Sequence, residues 1–130
     1  MTNVSLYDSF FQSNPASDWG SISMLLAVDT YVFSATHALS DITPSECTDA
    51  SYSRGTGEIA NDSSGTGNTG NYGLGSKGLS FPAMSVANWR FAIALDNSGR
   101  PLFCVDAGST QTLSAEVLTA NGQAFTITGV

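Results

Sequence analysis

Residues Trp89-Arg90-Phe91-Ala92-Ile93-Ala94-Leu95 carry large apolar side chains at the odd positions and small or charged ones between them. A period of two is the repeat of a β-strand with one buried face. Asp96-Asn97-Ser98-Gly99-Arg100-Pro101 follows with turn-forming residues, and Leu102-Phe103-Cys104-Val105-Asp106 returns as an apolar run. Together they predict an antiparallel hairpin. From residue 21 to 33 the same period recurs: Ile22, Met24, Leu26 and Val28 form an apolar face and Ser23, Leu25, Ala27 and Asp29 a mixed one, as in a central strand. The sets Ile22, Met24, Leu26 and Trp89, Phe91, Ile93, Leu95 are expected to point inward, each on one face of its strand.

The rest of the chain is short segments and turns. Leu79, Phe81 and Ala83 resume alternation, with Pro82 favouring an edge position. Strands are expected around 112–118 and 123–128, joined by Thr119-Ala120-Asn121-Gly122, whose Asn-Gly pair suits a type I′ turn. Near the N-terminus, Leu6 with Phe10 and Tyr7 with Phe11 are spaced i,i+4, a short helical stripe that Ser13-Asn14-Pro15 ends. Residues 36–42 suit one helical turn. The stretch 55–78 holds most of the thirteen glycines and reads as a long loop or as a pair of short edge strands. The expected fold is all-β: one domain over 1–130, an antiparallel β-sandwich of jelly-roll type with roughly seven or eight strands, an N-terminal arm at 1–15 with a short helical segment, and a Gly-rich region at 55–78.

Chemistry-bearing residues are scarce. The chain has one histidine (His37), one lysine (Lys77), three arginines and two cysteines, while Ser, Thr and Gly make up about a third of it. Proton transfer, phosphate clamping and metal capture each need several such groups converging on one point, so a non-enzymatic role without cofactor or metal is expected. Eleven acids against four bases give a net charge of −7. With no basic cluster to neutralise consecutive phosphates, nucleic acid and anionic membrane are poor partners. The N-terminal residues carry neither a basic nor an apolar leader, which predicts synthesis in a cytoplasm. Cys47 and Cys104 lie 57 positions apart, fit neither a redox pair nor a zinc knuckle, and are expected to be free and interior.

Gly65-Thr-Gly67-Asn-Thr-Gly70 and Gly73-Leu-Gly75-Ser-Lys-Gly78 match G-x-G-x-x-G, but no helix is expected after either, so neither can place a pyrophosphate on a helix N-terminus. His37 with Asp41 could be a base and its orienting acid. The ordinary role, a loop histidine paired with a nearby carboxylate or backbone group, is the expectation. Asp49, Glu58 and Asp62 lack the spacing of a calcium loop.

The order of signals resembles a family of small virion structural proteins of tailed bacteriophages. The resemblance rests on Tyr7-Asp8-Ser9-Phe10, Asp18-Trp19, the strand from Ile22 to Val28, Ala35-Thr36-His37-Ala38-Leu39-Ser40-Asp41-Ile42, the Gly-rich middle, and Val105-Asp106-Ala107-Gly108. Ala50-Ser51-Tyr52-Ser53-Arg54-Gly55 stands where the family often has Gly-Tyr-Thr-x-Gly-Gly. The resemblance implies a particle component without catalytic residues: a capsid decoration or cement protein located on the virion, with a tail- or fibre-associated protein as the neighbouring alternative. Expected partners are the major capsid protein or other virion subunits and further copies of the chain. A carbohydrate-binding β-sandwich, needing an exposed aromatic platform beside polar groups, and a small hydrolase, needing a pocket around His37, are the readings from other classes. Leu6, Tyr7, Phe10, Phe11 and Trp19 are the candidate interface anchors; they either fold back on their own domain or dock on a neighbour.

Overall fold

The computed structural model describes residues 3–12, 21–62, 69–116, 119–120 and 124–128, with side chains placed over 5–12, 21–57 and 80–114. The described chain is mostly β. Its strands are β1 (Asn3–Leu6), β2 (Ile22–Val28), β3 (Gly55–Asp62), β4 (Thr69–Ser80), β5 (Met84–Leu95), β6 (Pro101–Glu116), β7 (Thr119–Ala120) and β8 (Ala124–Thr128), with one short helix, α1 (Leu39–Ile42). They form one antiparallel sheet in the order β1-β6-β5-β2-β3-β4-β7, and β8 also pairs with β4.

The β5–β6 hairpin forms where the alternation and the turn residues place it. Strand β2 lies beside β5 and is buried on both faces rather than one. Ile22, Met24 and Leu26 enter a core with Phe10, Phe81, Met84, Val86, Trp89, Phe103 and Leu113. Leu25 and Ala27 point the other way, into a second core with Tyr7, Tyr31, Ile42, Ile93, Leu95 and Cys104. The second face is apolar because residues 29–45, including α1, fold across it and deliver Tyr31 and Ile42.

Trp89 and Phe91 do not share a face, contrary to the alternation. Val28 faces Trp89 while Ala27 faces Phe91, so the ladder slips at this point and its sidedness reverses. Trp89 therefore joins Ile22, Met24 and Leu26, and Phe91 lies half-buried against the core of Ile93 and Leu95. Asn88, at φ 60°, takes the left-handed turn beside the irregularity, a conformation that Asn tolerates better than most residues. Strand β6 answers with an excursion. Asp106 pairs with Phe91 and Gln111 with Trp89, so residues 107–110 leave the ladder. Gly108 turns there at φ 89°, and its N–H donates to Asp106 Oδ1 at 2.8 Å. The Val105-Asp106-Ala107-Gly108 signal thus encodes a bulge.

Two further expectations are corrected, and a third is decided between its alternatives. The stripe at 4–12 is a strand ending at Leu6 followed by a 3₁₀ helix, Asp8–Gln12, so the i,i+4 spacing does not apply. Residues 112–116 pair with β5 and β8 pairs with β4, so the last two expected strands are not a hairpin with each other; Asn121-Gly122 lies outside the described residues. Of the two readings of the Gly-rich stretch, the pair of strands is the one found: β3 and β4 pair with each other, inside the sheet and not at its edge, and residues 63–68 lie outside the described residues.

Strand β3 accompanies β2 only as far as Met24. Beyond it the edge of β2 turned away from β5 would be unpaired, a costly state for a buried strand. The segment after α1 takes over: Cys47 N–H donates to Leu26 O (2.9 Å), Tyr52 Oη accepts from Leu26 N–H (3.1 Å), and Glu46 bridges to Ala27.

Candidate functional site

Two of the quoted sequence signals meet in space. The 3₁₀ helix that follows Tyr7 lies against residues 35–40, with Asp8 N–H donating to Ala35 O at 2.8 Å. Ser9 Oγ donates to Pro101 O. Between these two segments and the β5–β6 turn is an open cleft of about 620 Å³, lined by side chains that include Asp8, Gln12, His37, Ser40 and Arg100.

Below the cleft, a chain of aromatic hydroxyls enters the core. Tyr7 Oη and Tyr31 Oη share a hydrogen bond of 2.7 Å, and Tyr31 Oη meets His37 Nδ1 at 2.9 Å. Phe33 packs on Tyr7 and Phe91 on Tyr31, at centroid distances of 4.8 and 5.6 Å. Burial, and next the bond to Tyr31, push the Tyr7 phenol far above its ordinary value; burial raises Tyr31 as well. Both phenols stay neutral near pH 7. His37 is thus paired with a phenol six residues earlier, not with a carboxylate or backbone group as the sequence suggested. Asp41, the expected orienting acid, instead accepts from the Ala38 N–H at 2.9 Å and closes the first turn of α1. Ser34 Oγ and Thr36 Oγ1 bond each other at 3.0 Å.

The three arginines are each tied to an acid. Arg54 makes a forked pair with Glu46, with both contacts 2.8 Å, and Tyr52 Oη donates to the same carboxylate at 2.6 Å. Arg90 grips Asp106 at the bulge at 2.8 and 3.2 Å. Arg100 Nε lies 2.9 Å from Asp96 Oδ2 inside the hairpin turn. Burial acts to raise Glu46, but the bonds from Arg54 and Tyr52 outweigh it and hold the carboxyl below its ordinary value. A carboxyl lowered by folding stabilises the fold above its unfolded pKa and ceases to do so as the pH falls through its folded one. Wild type is therefore expected to exceed Glu46→Gln in urea midpoint at pH 7, with the gap closing as the pH drops below 4.5, the ordinary glutamate value. Urea titrations of both proteins over the acid range check this.

Cys47 and Cys104 are free and buried, and they belong to the cores on opposite faces of the sheet, so they cannot bridge. Burial pushes the thiols up to about 11 and about 12. Native protein is expected to leave a thiol reagent such as dithionitrobenzoate unconsumed over minutes, and both thiols to react once urea unfolds the chain. Fast native reaction of either would contradict their burial.

Of the expected anchors, Tyr7 is fully buried in one core, Phe10 is buried in the other, and Leu6 is half-buried. These three pack against the chain's own cores, on both faces of the sheet. Phe11 is 53% exposed and so is open to a partner. Trp19 lies outside the described residues. Among the described residues, no group of three His, Cys, Asp or Glu side chains could hold a metal ion, and no helix is long and apolar enough to cross a membrane. The sequence missed Tyr31 and Asp96, whose partners are fixed by the fold; a buried acid in a hairpin turn leaves no pattern beyond the turn itself. Comparison of the chain with protein-family models, curated proteins and solved structures finds no match.

Proposed function

We propose that this chain is a non-enzymatic structural protein of a tailed-bacteriophage virion, a capsid decoration or cement protein that holds neighbouring shell subunits through protein contacts. The observation that carries the reading is the use of its few charged and titratable side chains as internal fasteners. The three arginines clamp one loop, one bulge and one turn, and His37 caps a buried tyrosine pair. A body fastened in this way, with little flexible charge, suits repeated contacts on a shell, where many weak contacts add up. The resemblance of the Tyr7–Phe10, Ala35–Ile42 and Val105–Gly108 signals to small virion proteins supports the same reading. So does the structural use of each: arm, cleft wall and bulge. The partners proposed are the major capsid protein or other virion subunits and further copies of the chain, not nucleic acid or membrane. The two apolar cores on opposite faces support a further proposal, that the sheet folds over itself as a jelly-roll-like sandwich.

The test is to purify intact particles from the producing culture, quantify the chain by mass spectrometry and image the particles by electron cryomicroscopy. The expected result is a fixed copy number and a regular array of density on the head. Absence from intact particles overturns the proposal, and density confined to the tail moves the protein to the tail-associated class.

A further inference from the structure

The cleft carries a charge that the fold leaves uncompensated. Asp8 lines one wall, on the 3₁₀ helix Asp8–Gln12, and is exposed. Among the described residues its carboxylate has no counter-ion and no hydrogen-bond partner. On the other wall the Asp41 carboxylate, of the same sign, accepts the N–H of the lining residue Ala38 at 2.9 Å. Arg100 is the guanidinium of the lining, and buried Asp96 already neutralises it. The carboxylates at the cleft therefore outnumber the guanidinium.

The rest of the lining is of two kinds. Gln12, Thr36 and Ser40 bring an amide and two hydroxyls, whose oxygens can accept. Ala35, Ala38, Leu39 and Pro101 bring apolar surface. An alkylammonium side chain matches both kinds, because its methylene stem lies along apolar surface while its charged head keeps to polar oxygens. Scattered acceptors suit lysine better than arginine: an ammonium has three rotatable donors, whereas a guanidinium needs a planar fork. At about 620 Å³ and open to solvent, the cleft has room for such a side chain and the backbone that carries it.

We propose that this cleft takes a lysine side chain of a neighbouring protein of another kind, with the ammonium on Asp8. A second copy of the chain is a poor donor. It has one lysine against eleven acids, and its three arginines are each tied to an acid. An acidic or phosphorylated ligand does not fit, because it would meet the Asp8 carboxylate with charge of the same sign. That the lysine belongs to a shell subunit rests on the virion reading; the recognition of an alkylammonium by the cleft does not.

The test has two arms. In the first, the full chain labelled with ¹⁵N is titrated at low salt with acetyl-Gly-Lys-Gly-amide into the tens of millimolar, and with the same peptide acetylated on the lysine nitrogen as the uncharged control. The lysine peptide is expected to give saturable shifts at the amides of Asp8, Gln12 and residues 36–40, and the acetylated peptide none. Asp8→Asn is expected to weaken binding by about threefold or more. Asp29→Asn, which removes the same charge outside the cleft lining, is expected to leave it near the wild-type value. Both positions are exposed, and circular dichroism confirms that the variants fold. In the second arm, purified particles are treated with a carbodiimide, which joins a carboxylate to an amine in contact with it as an amide and takes up the water as a urea. The expected product is Asp8 joined to a lysine of another virion protein. The proposal is overturned by equal responses to the two peptides, by equal losses in the two variants, or by particles that contain the chain and yield no cross-link from Asp8. Particles that lack the chain refute the virion reading instead, and the titration then decides the cleft by itself.

Discussion

Replacing Leu26 with Ala is expected to cost about 3–4 kcal/mol, and Ile93→Ala a similar amount, since each removes a fully buried branched side chain from a packed core and leaves a cavity. The two lie on opposite faces of the sheet, Leu26 with Met24 and Trp89, Ile93 with Leu25 and Tyr7. Their effects should therefore add to within about 0.5 kcal/mol. Leu25 and Ile93 are direct cross-strand partners in one core, so Leu25→Ala with Ile93→Ala should depart from additivity by about 1 kcal/mol or more. Urea unfolding of the two double mutants and their parents measures both differences. Coupling in the Leu26–Ile93 pair as large as in the Leu25–Ile93 pair would mean one continuous core and would refute the two-faced sheet. Phe91→Ala is expected to cost less than Ile93→Ala, because Phe91 is only half-buried.

The contrast between Phe91 and Ile93 shows where a period-two pattern stops being informative. Alternation predicts sidedness only while the ladder is regular. From Ile93 to Leu95 the ladder with β2 is regular, and the hairpin with β6 was legible together with its turn. Between Trp89 and Phe91 the register slips, and the signal for this is small: an Asn at 88 able to take a positive φ, and an Asp-x-Gly at 106–108 able to turn. Neither announces a reversal of faces until the strands are paired. The odd face of β2 was illegible for another reason. Whether Leu25 and Ala27 are buried depends on residues 29–45 crossing over them, a tertiary fact with no local trace. In the Gly-rich middle the pairing of β3 with β4 rests on backbone hydrogen bonds, which composition does not report, so loop and strand remained equal readings. The site was legible in part. His37 and the arm aromatics stood out as residues, but the meeting of Asp8, Gln12 and His37 at one cleft needed the arm to turn as a 3₁₀ helix and to bond Ala35.

Asp96→Ala is expected to be the most damaging polar substitution in the described chain, at about 2–4 kcal/mol. The Asp96 side chain is fully buried and organises the whole hairpin turn. Its Oδ1 accepts the N–H groups of Ser98 and Arg100, each at 2.9 Å, and its Oδ2 takes Arg100 Nε at 2.9 Å. The backbone closes the same loop, with Asp96 N–H donating to Arg100 O and Gly99 N–H to Asp96 O. Gly99 sits at φ 84°, a conformation that glycine adopts without strain. Alanine at 96 removes the acceptor for two backbone donors. Arg100 is partly exposed and can turn to water, so the loss arises mainly from those two N–H groups and not from the ion pair. This predicts an ordering that an electrostatic account would reverse: Asp96→Asn, which keeps an acceptor oxygen for both N–H groups but loses the charge, should cost less than half of what Asp96→Ala does. Ser98→Ala, at an exposed position in the same turn, should stay within about 0.5 kcal/mol of wild type. Equal losses for Asn and Ala at position 96 would assign the stabilisation to the Arg100 pair instead.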